Sequence, residues 1–224
     1  MILILNNKAH LTFEEIKYYE KKLRKYDLII CPSTCYLPLF QKGKYILGSQ
    51  DISEFKEESR TGEVIGSQLK SLNVKYCVIG HNERKIYNKE TKTTILNKIN
   101  RCFENNITPL YCIGEINSDT KEELKQEIDL ILNNIQDKEL YLVYEPLNNI
   151  GALNPDLTSI EDTIRFIKNY IKEKNKDLKL IYGGGVNKEN IDLLITLKEL
   201  DGLIISTNSL KLESIKEIYN KTRN

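Results

Sequence analysis

His81, one of two histidines in the chain, opens the stretch His81-Asn82-Glu83-Arg84, which follows the apolar run "YCVIG" at the point where a helix would begin. Three other apolar runs end in a similar way. "LIL" leads into Asn6-Asn7-Lys8, "LYLVY" into Glu145-Pro146, and "LKLIY" into Gly183-Gly184-Gly185. Taken singly, each group has a plain structural use: a solvated lysine, a histidine at a helix start, a turn carboxylate, a tight glycine turn. Together they supply a cation, an imidazole, a carboxylate and a run of backbone N–H groups, the set needed to move a proton beside the carbonyl of a phosphorylated substrate. Glu145 can take a proton from carbon, His81 can donate a hydrogen bond to the forming enediolate oxygen, and Lys8 adds positive charge there. Gly183 to Gly185, lacking Cβ atoms, let the backbone approach a phosphate closely.

Such a set works only if the chain brings its members to one rim. Eight short apolar runs, from "LIL" to "GLIIS", alternate with helical patterns. Thr12 and Glu15 form a capping-box pair before Ile16, Tyr19 and Leu23, an apolar stripe at helical spacing. Thr120 with Glu123, and Thr158 with Glu161, repeat the signature ahead of Leu124, Ile128, Ile131 and of Ile160, Ile164, Ile167. The second connection holds Pro32 and Pro38 and has room for little more than a helical turn. Strands apolar on both faces, alternating with helices, predict an α/β fold with a parallel sheet, and eight such units in 224 residues predict a closed (β/α)8 TIM barrel as one domain over residues 1–224. In such barrels chemistry sits at the C-terminal ends of the strands, where all four polar groups fall.

Composition narrows the partners. Lys and Arg total 33 against 32 Asp and Glu, a formal net charge of +1, so no global field draws the chain to nucleic acid or an anionic membrane, and any anion must be held locally. No apolar run approaches the ~20 residues of a membrane span, and Met1 to Leu5 is too short for a signal peptide, which predicts a cytoplasmic location. The five cysteines are odd in number, and the Cys31/Cys35 spacing does not suit zinc, so reduced thiols and no metal site are expected. The abundance of Lys, Asn and Ile carries no functional signal.

At these residues the chain resembles the triosephosphate isomerase family, in order and along nearly all its length. "NNK" resembles the family's N-x-K, "IGHNERK" its G-H-S-E-R-R, "YCIGE" its C-I-G-E, and "YEPLNNIG" its Y-E-P-x-W-A-I-G. "SQD...RTGEV", "YGGGVN" and "DGLIISTNSL" are similar to A-Q-N...F-T-G-E, Y-G-G-S-V and D-G-x-L-V-G-G-A-S-L. The resemblance implies interconversion of dihydroxyacetone phosphate and D-glyceraldehyde 3-phosphate, a step of glycolysis and gluconeogenesis, without metal or organic cofactor. It makes Glu145 the base and His81 the electrophile, puts Lys8 and Asn6 near the substrate oxygens, has Glu83 act through Lys8, and leaves Arg84 behind them. A neutral histidine is implied as well, a trait for which this family is itself the standard illustration. Pro146 to Pro155 becomes a closing lid, again a role this family is used to illustrate, with the Gly151 amide reaching the phosphate beside Gly184, Gly185, Ser206 and Thr207, and with Tyr182 hydrogen-bonding the lid.

Several positions depart from the family pattern. Its Ser is Asn82, its lid Trp is Asn148, its G-T-G is Gly151-Ala152-Leu153, its phosphate-side Ser is Gly185, and its glycine pair is Ser206-Thr207. The last change puts two side chains where bare backbone is wanted, and their hydroxyls either crowd the phosphate or bind it. A non-catalytic relative that kept the barrel, or an isomerase or synthase for another phosphosugar, therefore stands as the alternative. The loop from Gln50 to Glu63 is implied to project into a second subunit beside its lysine, with Thr61 at the tip. Its charges, Lys56, Glu57, Glu58 and Arg60, suit a carboxylate partner across a C2 homodimer interface, or plain solvation on a monomer.

Overall fold

A computed structural model of the chain describes residues 1–115, 120–135, 138–146 and 157–223, the side chains of residues 120 and 157 excepted. Its strands fall on the apolar runs: β1 (Ile2–Asn6), β2 (Ile29–Cys31), β3 (Ile46–Ser49), β4 (Tyr76–Ile79), β5 (Thr108–Ile113), β6 (Tyr141–Tyr144), β7 (Lys179–Tyr182) and β8 (Gly202–Ile205). Each pairs in parallel with the next, and β8 closes on β1 with Leu5 opposite Ile205. The predicted closed (β/α)8 barrel is the observed one.

Alternation along each strand creates two apolar layers. Ile4, Val78, Leu110, Val143, Ile181 and Ile204 fill the barrel interior. Leu3, Leu5, Leu142 and Tyr144 point outward and pack beneath the helices. The period of two then decides the site. Two residues beyond Ile4 lies Asn6; two beyond Val143 lies Glu145; two beyond Ile181 and Ile204 lie Gly183 and Ser206.

The helices cover the outer layer through the stripes that spacing predicts. In α1 (Phe13–Leu23) the buried residues include Ile16, Tyr19 and Leu23, and the Glu15 carboxylate reaches back to accept from the Thr12 backbone N–H at 2.8 Å. This satisfies one of the donors that a helix start leaves open. In α6 (Leu157–Glu173) Ile160, Ile164 and Ile167 are buried, each worth roughly 1.5–3 kcal/mol relative to exposure. α5 (Thr120–Leu132) and α6 begin at Thr120 and Leu157, so Thr120 and Thr158 fall in the first helical turn rather than ahead of it.

The second connection is a 3-10 helix, Thr34–Leu39, with Pro38 inside it. The others are α2 (Gly66–Ser71), α3 (Asn82–Tyr87) with α4 (Lys92–Glu104), α7 (Ile191–Leu194), and, after β8, a 3-10 helix Thr207–Leu210 followed by α8 (Leu212–Arg223). Asn73, Asn106 and Asn175 follow α2, α4 and α6 with φ of 60°, 58° and 55°. Asparagine tolerates this left-handed conformation at a helix end better than other residues with a Cβ, and it turns the chain into the next strand.

Candidate active site

The turn after β1 holds Lys8 in a strained backbone. Its φ is 49°, which costs a lysine on the order of 1–2 kcal/mol, so its neighbours must fix it there. The Lys8 N–H donates to Asn6 Oδ1 at 3.1 Å, and its carbonyl accepts from Ser33 Oγ at 2.7 Å and from Gln50 Nε2 at 2.9 Å. The ammonium donates to Glu83 Oε1 at 2.6 Å. Burial pushes the Glu83 carboxyl up, but the Lys8 hydrogen bond and nearby positive charge outweigh it and hold the carboxyl below the usual range.

His81 caps α3. The backbone N–H of Glu83 donates to His81 Nδ1 at 3.3 Å, which places a lone pair on Nδ1 and therefore the proton of a neutral ring on Nε2. Nε2 lies 3.5 Å from Glu145 Oε2. Glu145 is 2% exposed, and Oε2 has no hydrogen-bond partner among the described residues. A buried carboxylate oxygen left unpaired is costly, and its place at the cleft leaves it open to a bound group. Cys112 lies close by. Burial, and then the Glu145 charge, push its thiol well up, so it stays a neutral S–H beside the carboxylate. Asn82 Nδ2 donates to the Glu145 carbonyl at 3.0 Å, so Asn82, where the family has Ser, ties the start of α3 to the end of β6.

Gly183 makes room for this carboxylate. A Cβ there would stand 2.8 Å from Glu145 Cγ and 3.1 Å from its Oε1. The sequence assigned Gly183 to the phosphate alone. The structure gives it a second use. Further along, Gly185 has φ 68°, and its carbonyl accepts from the side chains of Asn187 and Asn190 at 3.2 and 3.0 Å. Tyr182 donates its hydroxyl to the Gly184 carbonyl at 2.8 Å. Asn208 Nδ2 donates to the Val186 carbonyl at 2.9 Å, joining the turns after β7 and β8.

A cleft of about 640 Å³ runs between these groups, lined by Lys8, His81, Glu145, Gly183, Gly185, Ser206 and Thr207 among others. Six of the predicted site residues thus meet one cavity with Gly183, and Gly184 adjoins it. A second cleft of about 280 Å³ opens on the other side of Lys8, next to Asn6, Gln50, Glu83 and Tyr87. Gly151, Asn148, Ala152, Leu153 and the rest of the predicted lid beyond Pro146 lie outside the described residues.

Arg84 stands behind the site in a cluster of four charges. It pairs with Asp51 at 2.9 Å and with Glu90, and Lys98 pairs with the same two carboxylates. Lys98 is 4% exposed, so removing one partner would leave a buried charge uncompensated. Asp51 and Gln50 sit where the family has Asn and Gln, so the cluster and the clamp on Lys8 leave from one turn after β3. In the projecting loop, Arg60 stacks on the Phe55 ring with its guanidinium carbon 3.7 Å from the centroid, and lies 3.5 Å from Glu57. Gln50, Asn82 and Asp51 are the contributors that sequence reasoning did not assign to the site. Only their places at strand ends could have marked them.

The arrangement has counterparts. A family model described as triosephosphate isomerase matches residues 1–222. Among curated proteins, the triosephosphate isomerase of Buchnera aphidicola subsp. Cinara cedri is 33% identical over 97% of this chain and 95% of its own length. That of Orientia tsutsugamushi strain Boryong is 34% identical over 97% and 96%, and that of Dichelobacter nodosus 36% over 75% and 74%. With the barrel closed, an imidazole and a carboxylate facing each other across its mouth, and a match along nearly the whole sequence, the chain belongs to the triosephosphate isomerase family.

Proposed function

We propose that this chain, as one barrel domain, interconverts dihydroxyacetone phosphate and D-glyceraldehyde 3-phosphate through an enediolate, with no metal or organic cofactor. The observation that carries the reading is the buried, unpaired Glu145 Oε2, 3.5 Å from His81 Nε2, beside a cleft that Lys8 also lines. Glu145 takes the proton from the carbon next to the carbonyl and returns it to the neighbouring carbon. His81 donates from Nε2 to the substrate oxygen, and a proton moves between the two oxygens to complete the exchange with no net redox change. Lys8, held by Glu83 and Asn6, supplies positive charge at that end. Backbone N–H groups of Gly184, Gly185, Ser206 and Thr207, with Gly151 of the lid, hold the phosphate, and Tyr182 supports the closed lid. Closure excludes water that would otherwise promote loss of phosphate from the enediolate. A coupled assay starting from glyceraldehyde 3-phosphate, following reduction of the ketose product, tests it. Turnover that Glu145→Gln lowers by roughly 10²–10⁴ is expected; phosphate binding without turnover would leave a non-catalytic relative.

We also propose a C2 homodimer in which the Gln50–Glu63 loop of one subunit enters the smaller cleft of the other. The cleft beside Lys8 and Tyr87, the 79% exposure of Tyr87, and the exposed run from Lys56 to Glu63 support this. Arg60 already has Phe55 and Glu57 as neighbours, which lowers the cost of burying it. Sedimentation at micromolar concentration should give twice the single-chain mass, and Arg60→Glu should loosen the pair. A single-chain mass at all concentrations rules the dimer out. A cytoplasmic location is supported by free cysteines, four of the five buried, a state that a reducing compartment maintains. No helix among the described residues is long and apolar enough to cross a membrane.

A further inference from the structure

Behind the lysine turn lies a buried hydrogen-bond ring that the proton transfer does not use. Asn7, between Asn6 and Lys8, is 1% exposed and on the helix side of the barrel. Its Nδ2 donates to the Tyr19 hydroxyl at 3.0 Å and to Ser209 Oγ at 3.1 Å. The Tyr19 hydroxyl donates in turn to the Ser209 carbonyl at 2.5 Å, and Ser209 Oγ donates to the Asn6 carbonyl at 3.3 Å. The direction of every bond is set. An amide nitrogen can only donate, so both hydroxyl oxygens accept from Asn7 and pass their own protons on. Burial pushes the Tyr19 hydroxyl up, which keeps that proton in place.

The ring joins β1, α1 and the 3-10 helix after β8, segments up to 203 residues apart. On one side it ends at Asn6, whose own side chain holds the Lys8 N–H. On the other it ends one hydrogen bond from the phosphate turn, because the Ser209 N–H donates to the Ser206 carbonyl at 2.9 Å. The two ends of the substrate are therefore gripped by turns that this ring staples together. Asn7 Oδ1 has no partner among the described residues, so the ring is kept at the expense of an unpaired buried acceptor.

We propose that Asn7, Tyr19 and Ser209 are positioning residues that fix the distance between the Lys8 turn and the Ser206-Thr207 turn, and so select ligands by the span from oxyanion to phosphate. This rests on the phosphotriose reading above. A ring that served only as polar filling would affect stability and nothing else. A rigid spacing should matter for a ligand held at both ends and not for one held at a single end.

The test compares two ligands by calorimetric titration. 2-Phosphoglycolate carries a planar carboxylate in place of the enediolate and a phosphate at the other end; inorganic phosphate occupies the phosphate turn alone. In Tyr19→Phe, and independently in Ser209→Ala, each of which removes a hydroxyl that accepts one bond of the ring and donates another, 2-phosphoglycolate should weaken about 3- to 10-fold, while inorganic phosphate changes less than about 2-fold. The KM for glyceraldehyde 3-phosphate should rise with the first ligand. A lower melting temperature with both affinities unchanged overturns the proposal, as does equal weakening of both ligands. If the unaltered protein binds phosphate but neither binds 2-phosphoglycolate nor turns over substrate, the phosphotriose reading itself fails. If Tyr19→Phe does not fold, Ser209→Ala, which deletes only Oγ, decides.

Discussion

The two ends of the cleft are built on different principles. Under the proposed reading, Lys8, Glu83, His81 and Glu145 act through side chains at the carboxylate end, and each has a partner: Asn6, Gln50 and Ser33 around the Lys8 backbone, the Lys8 ammonium on Glu83, a backbone N–H on His81, Asn82 on the Glu145 carbonyl. At the phosphate end, the proposed donors are backbone N–H groups, which every residue except proline supplies. That end departs from the family pattern at Gly185, Ser206 and Thr207, whereas the other matches it at Asn6, Lys8, His81, Glu83 and Glu145. Chemistry done by a side chain ties down a residue's identity. Chemistry done by the main chain ties down only its conformation, so the sequence there is free to drift until a Cβ gets in the way.

If this contrast is right, Glu145→Gln should lower turnover by roughly 10²–10⁴, the range for loss of a general base, and leave inorganic phosphate affinity unchanged in a direct titration. Retained turnover would break the assignment of the base. Gly183→Ala should come next, at roughly 10- to 100-fold in kcat, because the added methyl meets Glu145 Cγ at 2.8 Å and a small displacement of a reacting group is costly. A change in KM without one in kcat would instead return Gly183 to the phosphate end. The double variant Ser206→Gly with Thr207→Gly should tighten phosphate about 3- to 10-fold by letting the amides approach freely. Weaker binding would show that the two hydroxyls are ligands, and that this end has acquired side-chain chemistry of its own.

The smallest effect is expected from Glu83→Gln. The folded-state carboxyl is lowered, so the Lys8 contact is fully formed above the usual glutamate range and is lost as pH falls through the lowered value. Glu83 is half exposed, which limits the pair to about 1 kcal/mol or less, or under about fivefold in kcat/KM. The variant should lose the acid shoulder of the rate profile. An unchanged shoulder would assign it to another group.

The barrel was legible because its strands are apolar on both faces, and each of the eight runs stood out against polar flanks. The candidate site residues stand out for a related reason: a polar residue just after such a run, in phase with its inward face, falls at the rim. What escaped was long-range and carries no period. Nothing in the sequence around Asn7 points to Tyr19 or to Ser209, and nothing near Asn82 announces a bond to a carbonyl 63 residues away. The abundance of asparagine has a local structural use that composition alone does not show: Asn73, Asn106 and Asn175 each close a helix with left-handed φ. The charges of the projecting loop suit either a carboxylate across an interface or plain solvation, and nothing in its sequence points to the Phe55 ring and Glu57 carboxylate that Arg60 meets within its own loop.

Glu145 reaches the barrel mouth because it lies an even number of residues beyond Tyr141 and Val143, which fill the interior, while Leu142 and Tyr144 face the helices. The position proposed for the base is thus a phase as well as a place. Deleting a single residue from β6 acts like a frameshift in space: it swings the carboxylate into the apolar layer under the helices and presents Tyr144 to the substrate. Deleting two residues shortens the strand but restores the phase. An enzyme built this way can lengthen or trim the turns at the far ends of its strands with little effect on catalysis, while within each strand it can change length only in pairs.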